Sequence, residues 1–298
     1  MSGLLPTYKG YVSVGECDEM GHMNIQFYIA KTSDSSFHLR AALGLGQRQT
    51  PPSPTSYVAL EHHIRFHGEL RTSDLVSVDA GILDIRPKTM RIYQEMRNCL
   101  TGKLAATIVV DVGHFDLQAR KLVPWREDSL RRAEDLRTSL PEAARPRSLG
   151  DGSLDRNVSV ERADALNLTE TNRSAVNGWE CDSNGHMNAR FYMARFSDCQ
   201  GHMWAQAGLD RHMQMARNLA TATVEMRLGY FNELHSGDTL YVRTGIVGVA
   251  SRTVHYRHWM FNGETHEPVA AAEGVALLID RTTRKAVSLP AEIADRFN

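Results

Sequence analysis

The feature of this sequence that most constrains its fold is a duplicated unit. Residues 16–24 read ECDEMGHMN and residues 180–188 read ECDSNGHMN, so the two segments are offset by 164 residues. At that offset, 16 of the 30 positions in 16–45 are identical to their counterparts in 180–209. The register continues without a gap over about a hundred positions. A repeat of this length predicts two copies of one domain, not a solenoid of short repeats.

Each copy shows the same predicted order of elements. A short strand, expected near 11–14 in the first copy and 175–179 in the second, leads into the duplicated loop. A long helix follows, and it should begin near Asn24 or Asn188 because asparagine is a favoured N-cap residue. It should end near Gly44 or Gly208. Alternating apolar residues then predict half-buried strands at 57–66, 74–85, 88–98 and 104–117, and at 221–230, 238–249, 252–262 and 269–280.

The predicted fold class is α+β, with an antiparallel sheet around one long helix in each copy. Residues common to both helices recur every three or four positions, so they share one helix face, which we expect to pack on the sheet. In the first copy these are Phe27, Ala30, Asp34, His38, Ala41 and Leu45. We expect the first domain at 1–124, a linker with a helix in its charged first half at 125–164, and the second domain at 165–298.

Composition excludes several classes of function. Lys and Arg number 34 and Asp and Glu number 35, which argues against a protein that binds nucleic acid through bulk positive charge. No run of eighteen apolar residues is present, so no membrane span is expected, and the N-terminus has no signal-peptide pattern. The four cysteines have no CxxC spacing, which favours reduced thiols and a cytoplasmic location.

The duplicated loop contains the residue types needed for acyl transfer. Asp18 and Asp182 each precede a predicted helix start by six residues, with Gly21 or Gly185 between. The first turn of a helix has unpaired N–H groups and partial positive charge, so it can stabilise an oxyanion. A neighbouring carboxylate can act as a base or a nucleophile. A turn that only needs an aspartate and a glycine for its shape is the alternative.

At these residues the chain resembles the hotdog-fold acyl-CoA thioesterases of the 4-hydroxybenzoyl-CoA thioesterase type. The matching features are the sequence D-x-x-G-H-M-N before a long helix, Phe27-Tyr28 or Phe191-Tyr192 in that helix, and an aromatic residue eight positions before Asp74 or Asp238. The resemblance implies a sheet wrapped around a helix and edge-to-edge pairing of two such units. Here the pair would be an internal pseudo-dimer, and a homo-oligomer of the whole chain is compatible with it.

The resemblance also implies an acyl-CoA substrate, no cofactor beyond the coenzyme A of that substrate, and no nucleic-acid or membrane partner. Asp18 and Asp182 would be nucleophile or general base, and backbone N–H groups of 21–23 and 185–187 would hold the thioester oxygen. The expected substrate-binding residues are Gly21, Met23, Asn24, Tyr28, Lys88 and Thr89 in the first copy, and Gly185, Met187, Asn188, Tyr192, Arg252 and Thr253 in the second.

Four further residues have two interpretations each. His22 and His186 either orient the acid and contact the substrate, or contribute only their backbone. Glu61 and Glu225 are mid-strand acids that could serve as an alternative base, or could be ordinary solvated or ion-paired strand residues.

The histidines at 62, 63 and 67 lack an H-E-x-x-H motif or a closed Cys/His set, so no metal site is expected.

Two departures from the family pattern leave the substrate open. Many relatives have a second asparagine where this chain has Ile25 or Ala189, and a glutamate where it has Asp34 or Asp198.

Two other functions remain as alternatives. One is a hotdog hydratase or dehydratase, although those enzymes often have a proline between Asp and His that is absent here. The other is a non-catalytic acyl-CoA binding protein.

Overall fold

The computed structural model describes residues 3–46 and 54–297, and the chain divides into two compact units, Met1–Arg145 and Pro146–Asn298. The boundary falls within the segment 125–164 that separates the two predicted domains. In the described ranges, no helix is both long enough and apolar enough to cross a membrane.

The first unit combines one long helix with an antiparallel sheet. Its elements are β1 (Leu5–Tyr11), α1 (Ile25–Ala42), β2 (Thr55–Phe66), β3 (Leu75–Ile85), β4 (Thr89–Asn98), β5 (Leu104–Asp116), β6 (Lys121–Leu122) and α2 (Glu127–Asp135). The long strands lie in the order β1-β3-β4-β5-β2, and each neighbouring pair is antiparallel. This confirms the α+β class predicted for this half.

The second unit repeats the arrangement. Its elements are α3 (Val160–Ala165), β7 (Thr169–Ala175), α4 (Ala189–Gln206), α5 (Arg211–Ala216), β8 (Leu219–Tyr230), β9 (Thr239–Val249), β10 (Thr253–Asn262), β11 (Pro268–Asp280) and α6 (Ala291–Phe297). The strand order β7-β9-β10-β11-β8 corresponds to that of the first unit. The four long strands after the helix in each unit begin and end within two residues of the predicted limits, whereas the short strand β6 was not predicted.

The helix of each unit packs on the sheet through a buried polar contact. In the first unit, Gln94 of β4 donates to the Ser35 hydroxyl of α1 at 2.8 Å. In the second unit the matching residue of β10 is His258, whose ring nitrogens lie 3.0 Å from the Gln200 amide of α4 and 2.6 Å from the Thr244 hydroxyl. Buried polar groups require such partners, so these contacts fix how the helix sits on the sheet.

The helix face in contact with the sheet is not the face predicted from the repeat. Tyr28, Ile29, Thr32, Ser35 and Leu39 are buried, whereas Asp34, His38 and Ala41 of the duplicated stripe are exposed. The prediction was wrong because identity between copies was taken as a sign of burial. A core-facing side chain can be exchanged for another of similar volume when its neighbours change with it.

The first strand of each unit also lies earlier than predicted. β1 ends at Tyr11 and β7 at Ala175, and a 3₁₀ turn (Val14–Glu16 or Gly178–Glu180) follows. The reason is a capping box, in which the Glu16 carboxylate accepts a hydrogen bond from the Ser13 N–H at 2.8 Å. Glu180 does the same for the Asn177 N–H at 2.8 Å. These caps end the strand and direct the chain into the duplicated loop.

Candidate active site

The loop of the first unit is closed by the carboxylate predicted to be catalytic. Asp18 Oδ1 accepts hydrogen bonds from the N–H groups of Met20 at 2.8 Å and His22 at 3.1 Å. The Asp18 N–H in turn donates to the His22 carbonyl at 2.8 Å. Within the part of the chain that the structure describes, these side-chain bonds involve Oδ1 alone. Oδ2 of Asp18 is therefore available for a substrate or a water molecule.

The loop of the second unit closes in a similar way. Asp182 Oδ1 accepts from the Asn184 N–H at 2.8 Å, and the Asp182 N–H donates to the His186 carbonyl at 2.8 Å. Gly21 and Gly185 have φ values of 73° and 81°, a region that residues with a β-carbon rarely adopt. The glycines of the motif are thus required by the turn.

A buried ion pair in each unit holds the loop against the helix. Lys31 of α1 lies 2.9 Å from the Glu16 carboxylate. Arg195 of α4, at the matching position, lies 2.8 Å from Glu180. Because these glutamates also cap the 3₁₀ turns, one carboxylate fixes both the entry to the loop and its distance from the helix.

The histidine of each loop meets a glutamate from the segment after the second strand of its unit. His22 Nε2 lies 3.2 Å from Glu69 Oε2, and His186 Nε2 lies 3.2 Å from Glu233 Oε2. Both histidine side chains are largely buried, with 13% and 12% exposed. A carboxylate beside an imidazole can orient the ring and stabilise its protonated form, so the side chains of both histidines are placed for proton transfer.

The two units differ in the next residue to approach the histidine. In the first unit, Arg71 Nη2 lies 3.1 Å from His22 Nε2 and 3.2 Å from Glu69 Oε2. The matching residue of the second unit is His235, whose ring packs edge-on to that of His186 with centroids 5.0 Å apart. An isolated backbone bridge joins His22 to Arg71 and His186 to His235, so the same local geometry presents both neighbours.

Two of the backbone groups predicted to hold the thioester oxygen are already engaged in each loop. The Gly21 N–H donates to the Asp18 carbonyl at 3.0 Å, and the Met23 N–H donates to the Leu70 carbonyl at 2.7 Å. Gly185 and Met187 form the same bonds in the second unit. The His22 N–H is bonded to Asp18 as well. The loop's own closure therefore uses the donors that the sequence motif suggested for the substrate.

The backbone N–H groups that remain available to the thioester oxygen belong to the first residue of each long helix. Asn24 and Asn188 are the N-caps, and their side chains accept from the N–H groups of Gln26 and Arg190 at 3.1 and 3.0 Å. This confirms the predicted N-caps. The N–H groups of Ile25 and Ala189, the first residue of each helix, donate to no residue in the ranges 3–46 and 54–297. Helix N-termini favour anions, so these groups suit a developing oxyanion.

The tyrosines of the motif line the loop from the helix side. The Tyr28 ring packs edge-on against Phe66 at 5.1 Å, and Tyr192 packs in the same way against Tyr230 at 5.1 Å. Both hydroxyl groups are buried, and this burial raises the pKa of each. They therefore stay protonated and can donate hydrogen bonds.

The predicted CoA contacts lie on the hairpins that join the third and fourth strands of each unit. Lys88 and Arg252 are exposed just before β4 and β10, and Thr89 and Thr253 are the first residues of those strands. No hydrogen bond or ion pair between described residues links these hairpins to the loop of the same unit. Their role in binding stays a prediction.

The two mid-strand acids have different environments. Glu225 is 1% exposed, and its carboxylate accepts N–H groups from Arg147, Ser148 and Leu149 at 2.9, 2.6 and 3.3 Å. These bonds give Glu225 a structural role that differs from the predicted alternative base. They anchor the chain where the second unit begins. Glu61, its counterpart, is only half-buried.

Sequence reasoning missed Glu69 and Glu233 as site residues. Both are present at the 164-residue offset, so the repeat itself contained the signal. They were not linked to the loop because the contact joins segments that are far apart in sequence and meet only in the folded sheet. The hydrogen bond from Met23 to Leu70, and that from Met187 to Leu234, brings them together.

Comparison with known proteins decides the family. A model of the thioesterase-like superfamily matches residues 12–133 and again residues 176–297, which together cover most of the chain, and each match lies within one unit. The chain belongs to the thioesterase-like superfamily. The two consecutive matches, with the sheet and helix of each unit, show a tandem double hotdog.

Two curated relatives are similar to this chain over part of its length. A betainyl-CoA thioesterase of Pseudomonas aeruginosa is 25% identical over 115 residues, which is 39% of this chain and 72% of that protein. An acyl-acyl carrier protein thioesterase of Arabidopsis thaliana is 26% identical over 123 residues, or 41% of this chain. The match spans 64% of the Arabidopsis protein, slightly less than two thirds of its length.

One solved structure resembles this chain over nearly its whole length. A 12:0-ACP thioesterase of Umbellularia californica superposes with a TM-score of 0.69 over 92% of this chain and 97% of that chain. The two sequences are 13% identical, so the likeness is one of fold.

Proposed function

We propose that this protein is an acyl thioesterase that hydrolyses a thioester of coenzyme A or of an acyl carrier protein to the free acid and the thiol. The observation that carries the proposal is the duplicated loop. In it, an aspartate with one available carboxylate oxygen and a histidine–glutamate pair stand at the N-terminus of the long helix. Membership of the superfamily and the names of the two curated relatives support the thioester as the bond that is cleaved.

Asp18 and Asp182 supply the attack on the thioester. As a general base, Oδ2 takes a proton from water, and the water oxygen adds to the carbonyl carbon. As a nucleophile, Oδ2 itself adds to that carbon, the C–S bond breaks, and water then hydrolyses the mixed anhydride. In both routes Oδ1 remains held by loop N–H groups, so the orientation of the carboxylate is fixed before the substrate arrives.

The histidine and the first residue of the helix act on the leaving group and on the carbonyl oxygen. His22 or His186, paired with Glu69 or Glu233, gives a proton to the departing thiolate sulfur. The N–H of Ile25 or Ala189 faces the oxygen that becomes negative when the carbonyl carbon is attacked, which lowers the barrier by electrostatic stabilisation.

Thiol release from a panel of thioesters tests this function. The panel contains acyl-CoA substrates of increasing chain length, betainyl-CoA, and an acyl-acyl carrier protein, each followed with a thiol reagent that does not react with the protein. We expect turnover with at least one of them, and loss of that turnover when His186 is replaced by Ala. Absence of hydrolysis across the panel, with tight binding of the same compounds, would favour a binding protein.

A further inference from the structure

We propose that the second unit binds a divalent transition-metal ion such as Zn²⁺ through His186, Glu233 and His235, and that the first unit cannot. The ligand atoms of these three residues lie within 4.8 Å of one another. Two histidines and one glutamate, with a water molecule in the fourth position, form a common three-residue zinc set. This site is separate from the histidines at 62, 63 and 67 for which no metal was expected.

The geometry needs only a small adjustment to surround an ion. Ligands of tetrahedral Zn²⁺ stand about 3.3 Å apart, given bonds of about 2.0–2.1 Å. His186 Nε2 and Glu233 Oε2 already lie 3.2 Å apart. The third ligand, His235, has 56% of its side chain exposed and can turn toward the pair without displacing core residues.

A second carboxylate lies beside the third ligand and fixes its backbone. Asp238 Oδ2 accepts from the His235 backbone N–H at 2.8 Å and lies 3.8 Å from His235 Nδ1. A carboxylate beside one ring nitrogen directs the other nitrogen toward a metal and increases its basicity. The 3.8 Å separation is longer than a hydrogen bond, so either ring nitrogen of His235 can be the ligand atom.

The first unit supplies independent support, because it places a cation at the same point. The guanidinium of Arg71 occupies the position that matches His235, 3.1 Å from His22 Nε2 and 3.2 Å from Glu69 Oε2. A histidine and a glutamate in this arrangement thus accept a positive charge. In the second unit the residue at that position is His235, which can ligate a metal ion.

Metal binding would oppose hydrolysis at the second loop. His186 and Glu233 are the proton-transfer pair of the proposed function, and a bound Zn²⁺ would occupy the lone pair of His186. This consequence rests on the proposed function, whereas the binding itself does not. The two are therefore measured separately.

Direct binding is tested on the full chain after treatment with EDTA and removal of the chelator. Zn²⁺ is titrated against a chromogenic zinc indicator, and Co²⁺ binding is followed by its visible absorption. We expect one equivalent of metal, at least tenfold weaker in His235→Gln, with no thiolate-to-Co²⁺ band from the free cysteines. Unchanged binding by His235→Gln, with its fold verified by circular dichroism, would overturn the proposal.

The first unit provides a matched gain-of-binding variant. Arg71→His gives the first unit the ligand set of the second, and we expect a second equivalent of metal. No gain in binding would contradict the argument from Arg71. Inhibition is then measured in Asp18→Asn, in which only the second loop is intact. If Zn²⁺ binds there without slowing hydrolysis, the proposed role of His186 fails while the metal site stands.

Discussion

Arg71 Nη2 lies 3.1 Å from His22 Nε2, and His235 occupies the matching position beside His186. A guanidinium can only donate hydrogen bonds, whereas the Glu69 carboxylate, 3.2 Å from the same His22 nitrogen, can only accept them. Arg71 therefore competes with the contact between His22 and Glu69. The two duplicated loops are therefore chemically unequal, although their backbones match.

This inequality predicts that the second loop dominates turnover. Asp182→Asn should lower kcat by at least tenfold, and Asp18→Asn should lower it by less than twofold, because His235 stands beside His186 where the first unit has the competing Arg71. Asparagine preserves the turn in both variants, which makes each the control for the other. Steady-state thiol release measures the two values. Equal losses would show that Arg71 does not impair the first loop.

The buried Glu225 predicts a stability effect without a matching catalytic one. Glu225→Gln replaces a charged acceptor of three N–H groups by an amide and should lower the free energy of unfolding by about 2 kcal/mol or more. Urea denaturation measures this, with the half-buried Glu61→Gln as the control at the matching position. If Glu225→Gln unfolds normally but loses turnover, the glutamate acts in catalysis and its anchoring role is secondary.

Buried His258 predicts a loss of stability on acidification. Burial lowers its pKa to about 3, so the folded protein keeps it neutral while the unfolded chain protonates near 6.5. The unfolded state then binds more protons, and stability falls as the pH drops from 6.5 toward 3. Between pH 6.5 and 5 this amounts to about 2 kcal/mol, at about 1.4 kcal/mol for each pH unit.

The chain itself suggests the variant that tests this effect. The first unit has Gln94 at the position of His258, and its side chain also hydrogen-bonds to the helix of its unit. His258→Gln should unfold in urea with a smaller difference in stability between pH 7.5 and pH 5 than the wild type. An unchanged difference would mean that His258 is protonated in the folded state or does not contribute.

The ion pair that holds the second loop predicts a larger effect. Arg195→Met removes the partner of Glu180, whose side chain is only 6% exposed, and should destabilise the protein by about 3–5 kcal/mol. Thermal unfolding measures the loss. Restoration of stability in the double variant Arg195→Met/Glu180→Gln would identify the unpaired carboxylate as the cause. A loss equally large in the double variant would assign it to packing.

The repeat made much of the fold predictable from sequence. Two copies in one register gave the two units, and alternation of apolar residues located the strands after each helix. The N-caps Asn24 and Asn188 could be named because asparagine caps through a local bond to the next turn. These features depend on short-range chemistry, which a sequence displays directly.

Features that arise only in the tertiary structure were not predictable in this way. The burial of Glu225 depends on residues 147–149 folding over β8, and its strand pattern gave no sign of them. The pairing of His22 with Glu69 depends on the loop before α1 meeting the segment after β2. A β-bulge between Ala59 and Glu61 also shifts the register of β2, so the simple alternation used to predict this strand does not hold along its length.

The central claim is that the loop aspartates drive thioester hydrolysis, and the double variant Asp18→Asn/Asp182→Asn tests it most directly. The variant should fold and bind the best acyl thioester of the panel with affinity close to that of the wild type. Its kcat should fall by about 10²-fold or more, as expected when a positioned acid–base group or nucleophile is lost. Turnover equal to that of the wild type would show that both loops are architectural and would contradict the proposed function of Asp18 and Asp182.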